Sequence, residues 1–374
     1  MTILNAPQSA VRPDSNTSLD VSVSETENDQ TWDDFLLTSP AGSISQTSLW
    51  AKVKASEGWR PLRLILRRGA QIVAGVQVLW KMKYGIRCGY VVRGPVPESN
   101  TIEAATEMVS QLVRLTSQRR FTLLLVQPPD GGSMIPQVMN AKPFLPNHLY
   151  SVISANLVVD LCQGWDAVEK CFRRTTRQQV RQAYKSGVTI REGGREELPT
   201  FHALMTNTCQ RLRTTPNPRT VATLLALWQA AEPRKNIRLT LAEYGGQTIA
   251  GLLSLAFGRT LTFWKKGSDE TGRSLHADQA LFHEGIAWAC QNGFAHCDFA
   301  SMSPDTAHAL IRGEPLPEKA HQTRDFLHLG YGGTPILLPE SRILLPHAFL
   351  QIGYLALSRF RQGRALLRCI GGTA

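Results

Sequence analysis

The residues between Asp166 and Ser186 carry the densest chemical signal in the chain. Lys170, Arg173, Arg174, Arg177, Arg181 and Lys185 follow one another with no acid after Glu169. Read as one helix, opened by Asp166 and Glu169 and stopped by Gly187, the segment places all six cations within an arc of about 120°. Val168, Phe172, Thr175, Gln179 and Ala183 fall opposite. Cations so crowded repel one another unless a polyanion lies against them. The face is therefore either a contact for phosphate or RNA, or a solvated surface.

Other chemistries find less support. His276 and His283 are spaced i, i+7 and no HExxH occurs, so no metal site is expected. Seven cysteines, at 88, 162, 171, 209, 290, 297 and 369, form no CxxC, which predicts reduced thiols rather than a disulfide framework. GxGxxG, GxxxxGK[ST] and GxSxG are absent, so nucleotide-cradling loops and a serine-hydrolase elbow are not expected. His328 stands in Asp325-Phe326-Leu327-His328-Leu329-Gly330-Tyr331-Gly332-Gly333. Glycines there allow a ligand close to the backbone, although a histidine in such a place is also a common structural residue.

The chain that must position these groups has 374 residues, 41 Lys+Arg and 30 Asp+Glu, a formal charge of +11. That length suggests two or three domains. An apolar content of 43% excludes a wholly disordered chain. No apolar run is long enough to span a bilayer, and no basic-then-apolar leader opens the sequence, so a cytoplasmic protein is expected. The positive charge favours polyanionic partners.

Residues 1–30 are polar and read as a disordered tail, with order from Thr31, a helix cap, to Phe35. A helix over Ser48 to Glu57 precedes strands at 62–66 and 72–80, a strand at 90–93, a helix over 101–118 and a strand at 121–126. The second half repeats the plan. Ile237-Arg238-Leu239-Thr240-Leu241 resembles Leu62-Arg63-Leu64-Ile65-Leu66, and Gln247-Thr248-Ile249-Ala250-Gly251 resembles Gln71-Ile72-Val73-Ala74-Gly75. A strand over 259–265, a helix over 277–292 and a strand over 295–299 follow. A duplicated β-β-β-α-β unit predicts an α/β protein of two mixed-sheet domains, at 31–150 and 151–340. The tail 341–374 carries Arg359, Arg361, Arg364 and Arg368, with no acid after Glu340. It is expected to lie on anionic lipid or to dock on the protein as a helix.

Several motifs, taken in order, carry a resemblance. They are Gln46-Thr47-Ser48-Leu49-Trp50-Ala51-Lys52 with Gly58-Trp59, Arg93-Gly94-Pro95-Val96, and Thr176-Arg177 through Gly187-Val188. Thr208 to Arg211, and Ala289 to Gly293 with Cys297-Asp298-Phe299, complete the set. Over roughly residues 32–335 the chain resembles the Fem-type peptidyltransferases, which add amino acids from aminoacyl-tRNA to peptidoglycan precursors. The resemblance implies two tandem GNAT-like domains. It implies that Lys52 contacts substrate phosphate and that Arg177 and Arg181 hold phosphates at the domain junction, with Arg211 as a helper. The family's FK-x-G-F-G-G lysine is replaced here by His328. A histidine there could accept the proton of the acceptor amine, because its pKa lies near neutrality. Asp298 would orient that amine or anchor a turn. Trp264 would bound the acceptor or sit in the core, and Trp50 and Tyr331 join the substrate-binding candidates.

The expected function is amide formation on a primary amine of a nucleotide- or lipid-linked cell-envelope precursor. Aminoacyl-tRNA is the co-substrate, no other cofactor is needed, and contact with the inner membrane face is an option. One alternative is a CoA-dependent N- or O-acetyltransferase. Gly272-Arg273-Ser274-Leu275-His276-Ala277-Asp278-Gln279 counts against it, because Asp278 would repel a pyrophosphate at a helix start. The other alternative is a non-catalytic protein that binds RNA or membrane through its basic faces.

Overall fold

The computed structural model describes residues 19–83, 85–99, 101–130, 134–141 and 143–373. Two mixed sheets form two α/β units, as the repeated plan predicts. The first sheet runs in the order Leu19–Ser24, Arg60–Arg68, Gln71–Lys83, Ile86–Val92, Leu123–Gln127, Arg342–Leu344 and Phe144–Pro146. Its one parallel pair, Ile86–Val92 with Leu123–Gln127, is joined through the helix Ile102–Gln118. That helix buries Ala105, Met108, Val109, Leu112 and Leu115, the spacing that lays one helix face on a sheet. The second sheet runs Thr189–Gly193, Ile237–Tyr244, Gln247–Phe257, Thr260–Ser268, His296–Asp298, Ala155–Asp160 and Thr334–Leu337. Again one pair is parallel, Thr260–Ser268 with His296–Asp298, and the helix Ala277–Gln291 makes the crossover.

The matching hairpins are built alike. Each has a register shift at which the second strand carries an extra residue, Val73 opposite Leu66 and Arg67 and Ile249 opposite Ala242 and Glu243. In each, the final glycine of QxxAG lies under a ring. A Cβ on Gly75 would come 2.3 Å from the Trp32 ring, and one on Gly251 would come 2.8 Å from Phe201. The pairing Gly75 to Ile65 and Gly251 to Leu241 shows that the first strands correspond one residue away from the match drawn on sequence.

Four expectations change. Residues 1–18 lie outside the described residues, but Leu19–Ser24, assigned to the disordered tail, is a strand along Arg60–Arg68. Its backbone satisfies the open edge, which requires no apolar side chain. The first helix is Gln30–Thr38, capped by Asp29 rather than Thr31. The tail from 341 opens with Arg342–Leu344, a strand between Leu123–Gln127 and Phe144–Pro146. The basic segment is not one helix. Trp165–Lys170 ends, the chain turns inward to bury Phe172, Arg173 N donates to Gly330 O at 2.8 Å, and Arg174–Lys185 begins.

A shared apolar core joins the units. Leu49 and Val53, on the helix Ser48–Ala55, pack with Leu198, Leu224, Leu227, Leu253 and Leu255 of the second unit. Asp33, 4% exposed, accepts from Ser48 N at 2.8 Å and pairs with Arg234 across the junction at 3.4 Å.

Candidate active site

The parallel pair in the second sheet is short. Thr260, Leu261 and Thr262 face His296, Cys297 and Asp298, after which the strands part. One strand continues to Ser268. The other turns at Ala300, whose φ of 64° is left-handed and whose N–H donates to Asp298 Oδ1 at 2.7 Å. On the long strand, the bulge opposite Leu253 and Ser254 leaves Trp264 without a cross-strand partner. Trp264 meets Trp50 of the first unit edge-on, with ring centroids 6.0 Å apart. Between the units lies a cleft of about 590 Å³ whose wall includes Trp50, Arg93, Asp130, Trp264, His296 and Asp298. Three of the predicted residues, Trp50, Trp264 and Asp298, thus share one cavity.

Asp298 is 7% exposed, and Asn156 Nδ2 donates to its Oδ2 at 2.7 Å. Burial raises its pKa above the usual carboxylate value, with Asp130 adding to the rise, while Arg93 and the two hydrogen bonds act against it. Arg93 pairs with Asp130 at 3.5 Å. Its place follows from the motif that contains Gln46. The Gln46 side chain donates to Val92 O at 2.8 Å and accepts from Gln77 N at 2.7 Å, and Gly94 is so close that a Cβ would come 2.9 Å from it.

The other predicted residues lie elsewhere. His328 is 7% exposed and packs against Phe282 and Phe299, with centroids at 5.3 and 4.5 Å. Burial, reinforced by Arg324 and Lys266, holds its pKa well below the ordinary value. It is absent from the cleft wall, so it is ill-placed to take a proton from an amine bound there. Tyr331 is 0% exposed, lies in the core and donates its hydroxyl to Gln279 O at 2.8 Å. The neighbouring glycines accommodate protein, not ligand: Cβ atoms on Gly330 and Gly332 would strike Thr176 and Cys171.

Lys52 lines a second cavity of about 590 Å³, with Glu27, Trp59 and Arg60. Arg211 reaches Ser268 O at 3.5 Å. Ser268 stands six residues beyond Thr262, the partner of Asp298, or about 20 Å along the strand. Arg177 Nη1 lies 3.5 and 3.3 Å from the carbonyls of Glu169 and Lys170, so it closes the end of the preceding helix. Arg174, Arg181 and Lys185 remain exposed.

The acid expected to count against a CoA cradle does stand at the start of Ala277–Gln291. Asp278, the second residue of that helix, is 7% exposed and bound to Lys266 and, at 3.3 Å, to Ser268 Oγ. Sequence reading gave no role to Arg93, Asp130, Asn156 or Lys265. Arg93 stood in a quoted motif, but the rest have no local pattern. Burial, with Arg324 and Lys54 nearby, pushes the Lys265 ammonium down to about 8, and its Nζ sits 5.0 Å from the Trp264 ring centroid.

The FemAB family model matches residues 27–138 and the acetyltransferase (GNAT) domain model matches residues 170–307. A UDP-N-acetylmuramoylpentapeptide-lysine N(6)-alanyltransferase of Weissella viridescens is 24% identical over 315 residues, 76% of this chain and 89% of that protein. A lipid II:glycine glycyltransferase of Staphylococcus aureus (strain MRSA252) is 26% identical over 194 residues, so the match spans 49% of this chain and 46% of that protein. The solved structure of FemX superposes with a TM-score of 0.76 at 17% identity, covering 89% of this chain and 99% of that one. A tandem GNAT protein from the clavulanic acid biosynthesis pathway gives 0.50 at 11% identity, covering 88% and 99%. The sheets and the cleft between them define an acyltransferase of the GNAT class. Within that class the chain is similar to the Fem-type transferases, in the match of its residues 27–138 to the FemAB model and in its likeness to the alanyltransferase.

Proposed function

We propose that the protein forms an amide by moving an aminoacyl group from aminoacyl-tRNA to a primary amine of a peptidoglycan precursor. The placement of Asp298 carries this reading. It is a buried carboxylate on the wall of a cleft whose two facing tryptophans come from different units. The relatives named above are an alanyltransferase of UDP-N-acetylmuramoylpentapeptide-lysine and a lipid II glycyltransferase, which supports such a precursor as acceptor.

In this mechanism the acceptor ammonium binds beside Asp298 and gives it a proton, for which the raised pKa suits the carboxylate. The freed amine attacks the ester carbonyl. Arg93, which lines the cleft together with Arg259, faces the developing oxyanion. As the C–N bond forms and the C–O bond breaks, the proton held by Asp298 passes to the leaving tRNA oxygen, and the regenerated carboxylate takes the second proton from the new amide nitrogen and releases it to water. Trp50 and Trp264 wall the acceptor. Arg174, Arg181 and Lys185 offer exposed charge to the tRNA backbone. Arg177, Arg211, Lys52 and His328 have no step at the reacting atoms. The acid at the start of Ala277–Gln291 supports tRNA as donor.

The test is filter binding of aminoacylated and uncharged tRNA across a salt series, with a CoA thioester as competitor. Binding that prefers charged tRNA, weakens with salt and ignores the thioester is expected, because phosphate contacts release counterions. Retention of the thioester with no tRNA binding would overturn the donor.

A further inference from the structure

The chain ends in a helical hairpin whose polarity is inverted. The helix Ala348–Ser358 turns its polar residues toward the protein. Tyr354, 5% exposed, donates its hydroxyl to Pro146 O at 2.6 Å and accepts from His148 N at 2.7 Å, and Gln351 Nε2 donates to Leu345 O at 2.6 Å. Its solvent side holds Phe349, Ile352, Leu355 and Leu357, which are 71, 69, 41 and 39% exposed. A surface helix of a water-soluble domain shows the opposite arrangement. At the corner Phe360 is 68% exposed, and Leu366 of the second helix, Arg361–Gly371, is 51% exposed. The corner is tight: a Cβ on Gly363 would come 2.0 Å from Leu357 O. Arg359, Arg361 and Arg368 stand exposed beside the apolar side chains, and no acid follows Glu340.

We infer that this hairpin is an interfacial anchor that lies in the surface of an anionic lipid bilayer, Phe349, Ile352 and Phe360 entering the acyl boundary and the arginines meeting lipid phosphates. Eleven residues make a helix of about 16 Å, too short to cross a bilayer but of a size to lie in its plane. No helix among the described residues is long and apolar enough to cross. A second copy is a poorer occupant, because pairing this face with itself would crowd arginines together without an acid between them. Tyr354 fixes the hairpin to the linker at Pro146 and His148, and Ile153, further along that linker, lines the cleft. A docked hairpin thus holds the cleft near the bilayer, where a lipid-borne amine would be presented. That last consequence rests on the proposed function, whereas the docking does not.

The experiment is sedimentation of the full chain with phosphatidylcholine vesicles, with and without phosphatidylglycerol. The anionic lipid is expected to raise partitioning by about tenfold or more, an increase reversed by salt. The double variant Phe349→Ser/Ile352→Ser is expected to lose about a hundredfold in partitioning, because two large apolar side chains no longer enter the membrane. Both positions are exposed, so its melting temperature and circular dichroism should match the parent. Equal partitioning of parent and double variant would overturn the inference. So would a dimer that the double variant abolishes, with no vesicle binding by either form. Turnover of a soluble, nucleotide-linked acceptor, followed in parallel, reads the proposed reaction alone, so its absence beside intact vesicle binding would count against that reaction only.

Discussion

In the proposed mechanism, Asp298 sets how the site should answer to pH. A base acts only when deprotonated, and this carboxylate is held above its usual range chiefly by burial. Activity should therefore fall as pH drops, with a midpoint in kcat/KM above that of a solvent-exposed aspartate. In Asp298→Asn, kcat should fall by about 10²–10⁴-fold and that acidic limb should vanish. A pH–rate profile of the two proteins decides it, and an unchanged limb in the variant would assign the base elsewhere. The residue was visible in sequence because it sits in a matched motif at a strand end. What was not visible is that His328 and Tyr331 are buried away from the cleft wall. Both lie in a glycine-rich segment that reads as open to ligand. The glycines instead admit Thr176 and Cys171, contacts more than a hundred residues away in sequence.

At the scale of elements, the QxxAG repeat has a steric cause. Gly75 and Gly251 let an aromatic ring from a covering helix pack close against each sheet. Gly75→Ala should destabilise by about 1–3 kcal/mol, because overpacking forces the ring or the helix aside. Trp32→Leu should relieve part of that loss in the double variant. Denaturant melts of the two single variants and the double measure the coupling, and strictly additive losses would refute the contact. The hairpins were legible because their pattern alternates with period two. The break at Cys171 was not. Helical periodicity across 166–186 is sound as far as it goes, but Phe172 gains more by entering the core than by continuing a helix. The edge strand Leu19–Ser24 was missed for a related reason. Its pairing uses backbone groups, and composition carries no record of them.

At the scale of the molecule, the two units are held by a continuous apolar junction around Leu49 and Val53. Leu49→Asp would place an unpaired charge in that junction. Thermal unfolding, expected as a single transition in the parent, should then resolve into two, and calorimetry of both proteins checks this. The duplicated architecture was readable from the repeated strand order, but the path of the chain between the units was not. Arg342–Leu344 crosses back after the second unit to lie between Leu123–Gln127 and Phe144–Pro146. This return has a consequence on the ribosome. Until residue 344 emerges, Leu123–Gln127 keeps a bare edge and Phe144–Pro146 has no strand to join. At about 5–20 residues per second that interval lasts roughly 10–40 s. The amino-terminal unit, first to be synthesised, is thus the last to be completed, and through that interval it is a natural client for chaperones that shield open sheet edges.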